Sequence, residues 1–227
     1  MIRLHVIAEG KTEQIFVERM LAPHLAKIHV FADARCVFTR QDNRTSKKHS
    51  GGLSSYEKAR RDIQQWLKED THAECRFTTM FDLYALPNDF PCYAEAIRKT
   101  DPYERVRLLE DRMAQNINDS RFIPYIQLHE FESLIFAAPQ NLGVEYLAHD
   151  DQIKNLIAMV GDKNPELIND GEKTAPSKRI LKQIPEYRKT TSGVSVVAKT
   201  GLPTLRAKCG HFNEWLTRLE QLSEAQP

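Results

Sequence analysis

Apolar and polar positions follow two different periods along the first 137 residues. Leu4-His5-Val6-Ile7-Ala8 is an apolar run of strand length, and beyond the turn at Glu9-Gly10 the apolar residues Ile15, Phe16, Met20 and Leu21 recur at helical spacing. This predicts a strand over 2–8 and a helix capped by Thr12, with Glu13 and Glu18 on its polar side. Val30, Phe31, Val37 and Phe38 mark a second strand within 29–38, and the polar, basic and glycine-bearing stretch 40–53 reads as an exposed loop. Ala59, Ile63, Trp66 and Leu67 predict a helix over 54–69, which leads to a strand Arg76-Phe77-Thr78-Thr79-Met80-Phe81 ending in Asp82. A loop over 85–91 and helical stretches near 92–115 follow, and a fourth strand over 122–128 feeds a helix over 130–137 with no loop between them.

Past residue 137 the pattern is helical only. Short helices with an acidic surface are expected over 141–170, a helix start at 174–180, and a final amphipathic helix over 205–222 whose Phe212, Trp215 and Leu219 read as core positions. Alternating strands and helices over 1–137 predict an α/β domain with a mostly parallel, Rossmann-like sheet. Residues 138–227 are expected as a helical extension packed on it.

Composition narrows the class. A chain of 227 residues with 41% hydrophobic and 28% charged residues is long enough for one sizeable core and ordinary for a soluble globular protein. Cys36, Cys75, Cys92 and Cys209 are scattered without a Cys-x-x-Cys pair, so neither a zinc ribbon nor a disulfide framework is indicated. The N-terminus has no signal-peptide core and no run reaches the ~20 apolar residues of a membrane span, which makes the cytoplasm the expected compartment. The net charge of +1 conceals an uneven layout: residues 35–61 carry eight Lys or Arg against Asp42 and Glu57, 129–172 carry nine acids against Lys154 and Lys163, and the chain from 171 onward is basic again. Such a layout suits a polyanion held around an acidic centre, and equally suits solvated helix faces.

The candidate chemistry lies where strands end. Glu9, Asp82, and the pair Glu130 and Glu132 each follow a predicted strand; if those strands are parallel neighbours, the carboxylates converge on one edge of the sheet. Clustered carboxylates repel one another unless a cation neutralises them, and hard oxygen donors suit Mg²⁺ or Mn²⁺. His129 is placed to orient a carboxylate or a water, and Asp89 is a further acid nearby. Zinc-protease chemistry is excluded because the fourth residue after His129 is Ser133, and a phosphate-binding loop ending at Gly10-Lys11-Thr12 is excluded because the upstream glycine position holds His5. Arg44, Lys47 and Lys48, with Lys11, Lys178 and Arg179, are the candidate phosphate-binding residues.

The Glu-Gly turn after the first strand, followed by a strand ending in Asp82, resembles the TOPRIM fold of topoisomerases, primases, small ribonucleases and OLD-type nucleases. More narrowly, Ala8-Glu9-Gly10-Lys11-Thr12-Glu13, Asp82-Leu83-Tyr84-Ala85-Leu86-Pro87, the stretch from Pro124 to Glu132, and Thr174-Ala175-Pro176-Ser177-Lys178-Arg179 look like an uncharacterised bacterial TOPRIM-related family associated with ATPase partners and mobile-element defence. The resemblance implies a TOPRIM-like sheet and a Mg²⁺- or Mn²⁺-dependent nuclease acting on DNA or RNA. It makes Glu9 the first-motif glutamate, a general acid/base or metal ligand, and Asp82 the first aspartate of an Asp-x-Asp motif. The second aspartate is replaced by Tyr84, so Asp89, Glu130 or Glu132 would have to complete the ligand set. A non-catalytic regulatory or nucleic-acid-binding subunit of the same fold is the alternative that Tyr84 favours.

Overall fold

The computed structural model describes residues 1–37, 53–84, 86–169, 171 and 174–224. Strand β1 (Ile2–Ala8) is flanked by β2 (Val30–Cys36) and β3 (Cys75–Asp82), both parallel to it, with His5 opposite Asp33 on one side and Phe77 on the other. β4 (Phe122–Ile123) and β5 (Ile126–Gln127) then pair in parallel with successive stretches of β3. The spatial order is β2-β1-β3-β4, with β5 also on β3, and every pairing is parallel, as the strand–helix alternation predicts of the sheet. The strand expected over 122–128 is split because Pro124 has no N–H to contribute to a ladder. Thr79 fills the gap: its Oγ accepts from the Tyr125 N–H and donates to the Tyr125 carbonyl, each at 2.9 Å.

After β1 the chain enters α1 (Lys11–Phe16), a π-helical turn over Val17–Leu21, and α2 (Ala22–Ala26). The expected cap at Thr12 is corrected: Gly10 is the N-cap and Thr12 is buried inside the first turn. α3 (Tyr56–Glu69) lies close to its predicted span, and the helical stretch near 92–115 resolves into α4 (Tyr93–Ala96) and α5 (Pro102–Ile117). The helix expected over 130–137 forms as a 3₁₀ helix, Phe131–Ala137. Beyond it lie α6 (Asp150–Val160), α7 (Pro176–Gln183), α8 (Val194–Thr200), α9 (Leu202–Lys208) and α10 (Gly210–Glu220); the single final helix expected over 205–222 is thus two, broken at Cys209. The loop expected over 40–53 falls, except for the buried Leu53, outside the described residues.

Period-two alternation sorts the strands between two layers. Ile2, Leu4 and Val6 face a core shared with Phe16, Leu21, Phe131, Ile180, Val197, Phe212 and Leu219, whereas Ile7, Phe77 and Phe81 face Ile63, Trp66, Val106 and Leu109 of α3 and α5. The helices beyond 137 therefore complete one face of the sheet. Trp215 shows how they are locked on: its ring stacks on Tyr125 at 4.1 Å and its Nε1 donates to Thr78 Oγ on β3 at 2.9 Å. A polar handle that finds its partner lets a large apolar ring be buried with no orphaned donor. No helix among the described residues is long and apolar enough to cross a membrane.

Candidate active site

The strand order puts a topological switch point between β1 and β3, because the chain leaves β1 toward β2 on one side and leaves β3 toward β4 on the other. Open parallel sheets bind ligands in the crevice that such a reversal opens at the carboxyl ends of the strands. Glu9 and Asp82 stand on its two sides. The Glu9 carboxylate accepts from the Asp82 backbone N–H at 2.8 Å and so bridges the switch point directly.

Two further carboxylates close in. Glu13, which helical spacing puts on the polar side of α1, is instead 3% exposed. One of its oxygens turns back to accept from the Gly10 N–H at 2.9 Å, the helix-to-cap half of a capping box. A Cβ at Gly10 would lie 3.3 Å from that oxygen, so this position is restricted by the close approach of Glu13, while its φ of −153° is open to any residue. Glu132 is fully buried on the 3₁₀ helix, and Tyr187 donates to its Oε1 at 3.3 Å.

Lys189 stands among them. Its Nζ lies 3.0 Å from Asp82 Oδ2, 3.3 Å from Glu132 Oε2 and 3.8 Å from Glu13 Oε1. It opens the π-helical turn Lys189–Gly193, an irregular geometry frequent at functional sites. Gly193 is needed there, because a Cβ would collide with the Tyr187 hydroxyl that reaches Glu132. One ammonium against four carboxylates leaves an excess of negative charge, and the acids respond. Burial, then repulsion from Asp82, pushes Glu9 up to about 8; burial and Asp82 likewise push Glu13 up to about 7. Glu132 is pushed up to about 7 by burial, against the attraction of Lys189. Burial pulls the Lys189 ammonium down, but attraction to Asp82, Glu132 and Glu13 outweighs it and holds the group charged.

Oxygen atoms are left over. Asp82 Oδ1, Glu13 Oε1 and Glu132 Oε2 are buried and accept no hydrogen bond among the described residues. Glu132 Oε2 and Glu13 Oε1 face the Lys189 ammonium at 3.3 and 3.8 Å, which leaves Asp82 Oδ1 without a hydrogen bond; an unsatisfied buried acceptor costs about 1–3 kcal/mol. All-oxygen donors with an excess of negative charge fit a hard divalent ion such as Mg²⁺ or Mn²⁺. The carboxylates are spread around Lys189 Nζ; they do not converge on a common point.

The other sequence-predicted residues have different surroundings. Glu130 has both oxygens engaged by Ser177, from its N–H at 2.9 Å and its hydroxyl at 3.0 Å, and so satisfies the first turn of α7. Asp89 caps α3 from outside, accepting from the Tyr56 and Glu57 N–H groups and the Ser55 hydroxyl. His129 adopts a left-handed backbone with φ of 60°, and its Nδ1 lies 3.1 Å from Asn169 Nδ2. Lys11 is exposed at the start of α1 and bonds Gln14; Lys178 is exposed on α7, while Arg179 donates to the Thr174 carbonyl at 2.7 Å. Arg44, Lys47 and Lys48 lie outside the described residues. Sequence reasoning misses Glu13 as a site residue, although its spacing three after Gly10 is the capping-box signal, and it reads Lys189 only as one of a run of basic residues.

Fold and site together define an open parallel α/β protein with a carboxylate cluster at its switch point. The chain belongs to the DUF4276 family, a domain of unknown function, whose profile matches residues 8–220. No curated protein and no solved structure matches it.

Proposed function

We propose that the protein is a divalent-metal-dependent phosphodiesterase acting on DNA or RNA, with Glu9, Glu13, Asp82 and Glu132 as its metal-holding and proton-handling groups. The observation that carries this reading is the gathering of Glu9, Glu13, Asp82 and Glu132 at the β1–β3 switch point around a single ammonium, with Asp82 Oδ1 left without a hydrogen bond. A Mg²⁺ or Mn²⁺ ion held there would supply Lewis-acid polarisation of a phosphoryl oxygen and a more acidic water. Glu9, half-buried and with its carboxyl raised to about 8, is suited to exchange a proton with an attacking water or a leaving oxygen near neutral pH. Lys189 has a side chain 37% exposed and would swing outward when the ion enters, placing its charge against a phosphate. Lys11 and Lys178, both exposed, extend that positive surface, and neutralising either would lower the log–log salt slope on duplex DNA by about 0.9 for each phosphate it had neutralised.

The TOPRIM resemblance supports the same chemistry, with Glu132 standing in for the acid that Tyr84 replaces, and adds an ATPase partner and defence against phage or mobile elements as the setting. A second reading has its own observation. Lys189 already pairs with three of the carboxylates, as it would in a non-catalytic regulatory or nucleic-acid-binding subunit that had replaced the metal by an internal cation. Incubation with plasmid, single-stranded DNA and RNA in Mg²⁺ or Mn²⁺, beside Glu9→Gln, separates the two. The nuclease reading expects metal-dependent cleavage that this substitution abolishes; cleavage that persists in Glu9→Gln excludes the site.

A further inference from the structure

At the opposite end of the same sheet, His5, Asp70 and Cys75 place one donor atom each within 4.8 Å of one another, the only such group among the described residues. Three strand positions and one loop build the cluster. His5 lies mid-β1 with Asp33 directly across on β2, Cys75 begins β3 on the same face, and Asp70 follows the end of α3. His5 Nε2 is 3.1 Å from Asp70 Oδ2 and 3.8 Å from Cys75 Sγ. A tetrahedral zinc ion with Zn–N and Zn–O of about 2.0–2.1 Å and Zn–S of about 2.3 Å separates its ligands by about 3.3 Å for N and O and about 3.6 Å for N and S. The observed spacings agree to within a few tenths of an ångström.

The supporting bonds are arranged as metal ligation needs them. His5 Nδ1 is 2.7 Å from Asp33 Oδ1, a carboxylate partner that keeps the proton on Nδ1 and turns the Nε2 lone pair toward Asp70 and Cys75. Asp70 divides its oxygens: Oδ1 accepts from Arg3 at 2.9 Å and from the His72 N–H at 3.2 Å, which leaves Oδ2 for the cluster. Without a metal, a ring protonated on both nitrogens bridges Asp33 and Asp70 through these two contacts; a zinc ion would take the place of the Nε2 proton between the ring and Asp70. A cavity of about 230 Å³, lined by Arg3, His5, Trp66, Asp70 and His72, opens onto His5 and Asp70 and leaves room for a fourth ligand from solvent, while Cys75 is buried behind them. Nitrogen, sulfur and oxygen donors together select Zn²⁺ over the hard Mg²⁺ or Mn²⁺ of an all-oxygen site.

We propose that His5, Asp70 and Cys75 form a Zn²⁺ site that clamps β1, β3 and the end of α3 together, with Asp33 and Arg3 orienting the ligands. The site stands independently of any activity at the switch point. Binding releases to solvent the Cys75 thiol proton and, from a doubly protonated ring, the His5 Nε2 proton, and leaves a zinc-bound thiolate.

Co²⁺ reports on this directly, because a cobalt-bound thiolate shows a charge-transfer band in the near ultraviolet. Chelator-treated full-length protein is titrated with Co²⁺ and then with Zn²⁺, beside Cys75→Ser, Cys36→Ser and Asp33→Asn, and each is melted with and without Zn²⁺. The expected result is a one-to-one band that Zn²⁺ displaces, kept in Cys36→Ser and lost in Cys75→Ser, with a Zn²⁺-dependent rise in Tm that Cys75→Ser lacks. Asp33→Asn alters only a supporting residue; it should keep the band and weaken Co²⁺ binding by about 10- to 100-fold, which retains a test if Cys75→Ser does not fold. Absence of the band in the wild type, its survival in Cys75→Ser, or unchanged affinity in Asp33→Asn would overturn the assignment and leave His5 as an imidazolium bridging two aspartates.

Discussion

Lys189 Nζ meets Asp82 Oδ2 at 3.0 Å across 107 residues of chain, and this pair ties the π-helical turn before α8 to the end of β3. Breaking a buried ion pair by removing one partner leaves the other charge uncompensated, which typically costs about 3–5 kcal/mol. Because the Lys189 side chain is 37% exposed, Lys189→Met is expected at the low end of that range at pH 8, and to cost much less at pH 5, where the acids take up protons. The same substitution should tighten Mn²⁺ binding at least tenfold. Denaturant melts at the two pH values and a Mn²⁺ titration check both outcomes.

Stability of the metal-free protein should fall as pH rises from about 4.5 to about 8. Glu9 is raised to about 8 and Glu13 and Glu132 to about 7, against 4.5 for an ordinary glutamate, so the folded state holds protons that the unfolded chain has released. Where the folded state binds more protons, stability declines with pH. The contribution of these groups is fully present below 4.5 and lost as pH passes through 7 to 8. Mg²⁺ or Mn²⁺ should therefore raise Tm more at pH 8 than at pH 5, as a pair of thermal scans with and without the ion would read.

Glu9→Gln is expected to keep the fold and lose hydrolysis. The amide oxygen can still accept from the Asp82 N–H, so the bridge across the switch point survives while the proton-exchanging group does not. A loss of at least about 100-fold in cleavage rate, with Tm within a few degrees of wild type, is the expected combination.

Glu130 and Glu132 should separate cleanly. Glu130→Ala removes the acceptor for the Ser177 N–H and hydroxyl and is expected to cost about 1.5–3 kcal/mol of stability with little change in Mn²⁺ affinity. Glu132→Gln should do the reverse, weakening Mn²⁺ binding and relieving charge repulsion in the metal-free state. Chemical denaturation paired with metal titration on each variant reads both quantities.

Gly193→Ala is expected to destabilise by about 1–3 kcal/mol, the usual cost of overpacking. Its Cβ would occupy the place of the Tyr187 hydroxyl and push Tyr187 off Glu132. Combining it with Tyr187→Phe removes the oxygen in the way, so the double variant should recover part of the loss in a denaturant melt.

What is legible in the chain is local. The apolar run Leu4 to Ala8 reports β1, and the helical spacing of Ala59, Ile63, Trp66 and Leu67 reports α3, because burial leaves its period in the residues themselves. Glu9 and Asp82 can be found the same way, since each stands at the end of a strand and parallel neighbours bring such ends together. Pro124 also carries its meaning openly, and the split between β4 and β5 follows from its missing N–H.

Convergence over long separations is decided by tertiary structure alone. Glu130 and Glu132 are two residues apart and alike in sequence, yet an extended backbone at 130 turns one to Ser177 and the 3₁₀ helix turns the other to Lys189. Glu13 looks like a solvated helix acid until the helices beyond 137 cover it, and the partnership of Lys189 with Asp82 exists only because those helices pack on the β1–β3 face. His5 and Cys75 likewise meet through the register of two strands 70 residues apart. A residue's period records which side of its own element is dry, whereas the charges it will face depend on strand order and layer packing, which no local pattern encodes.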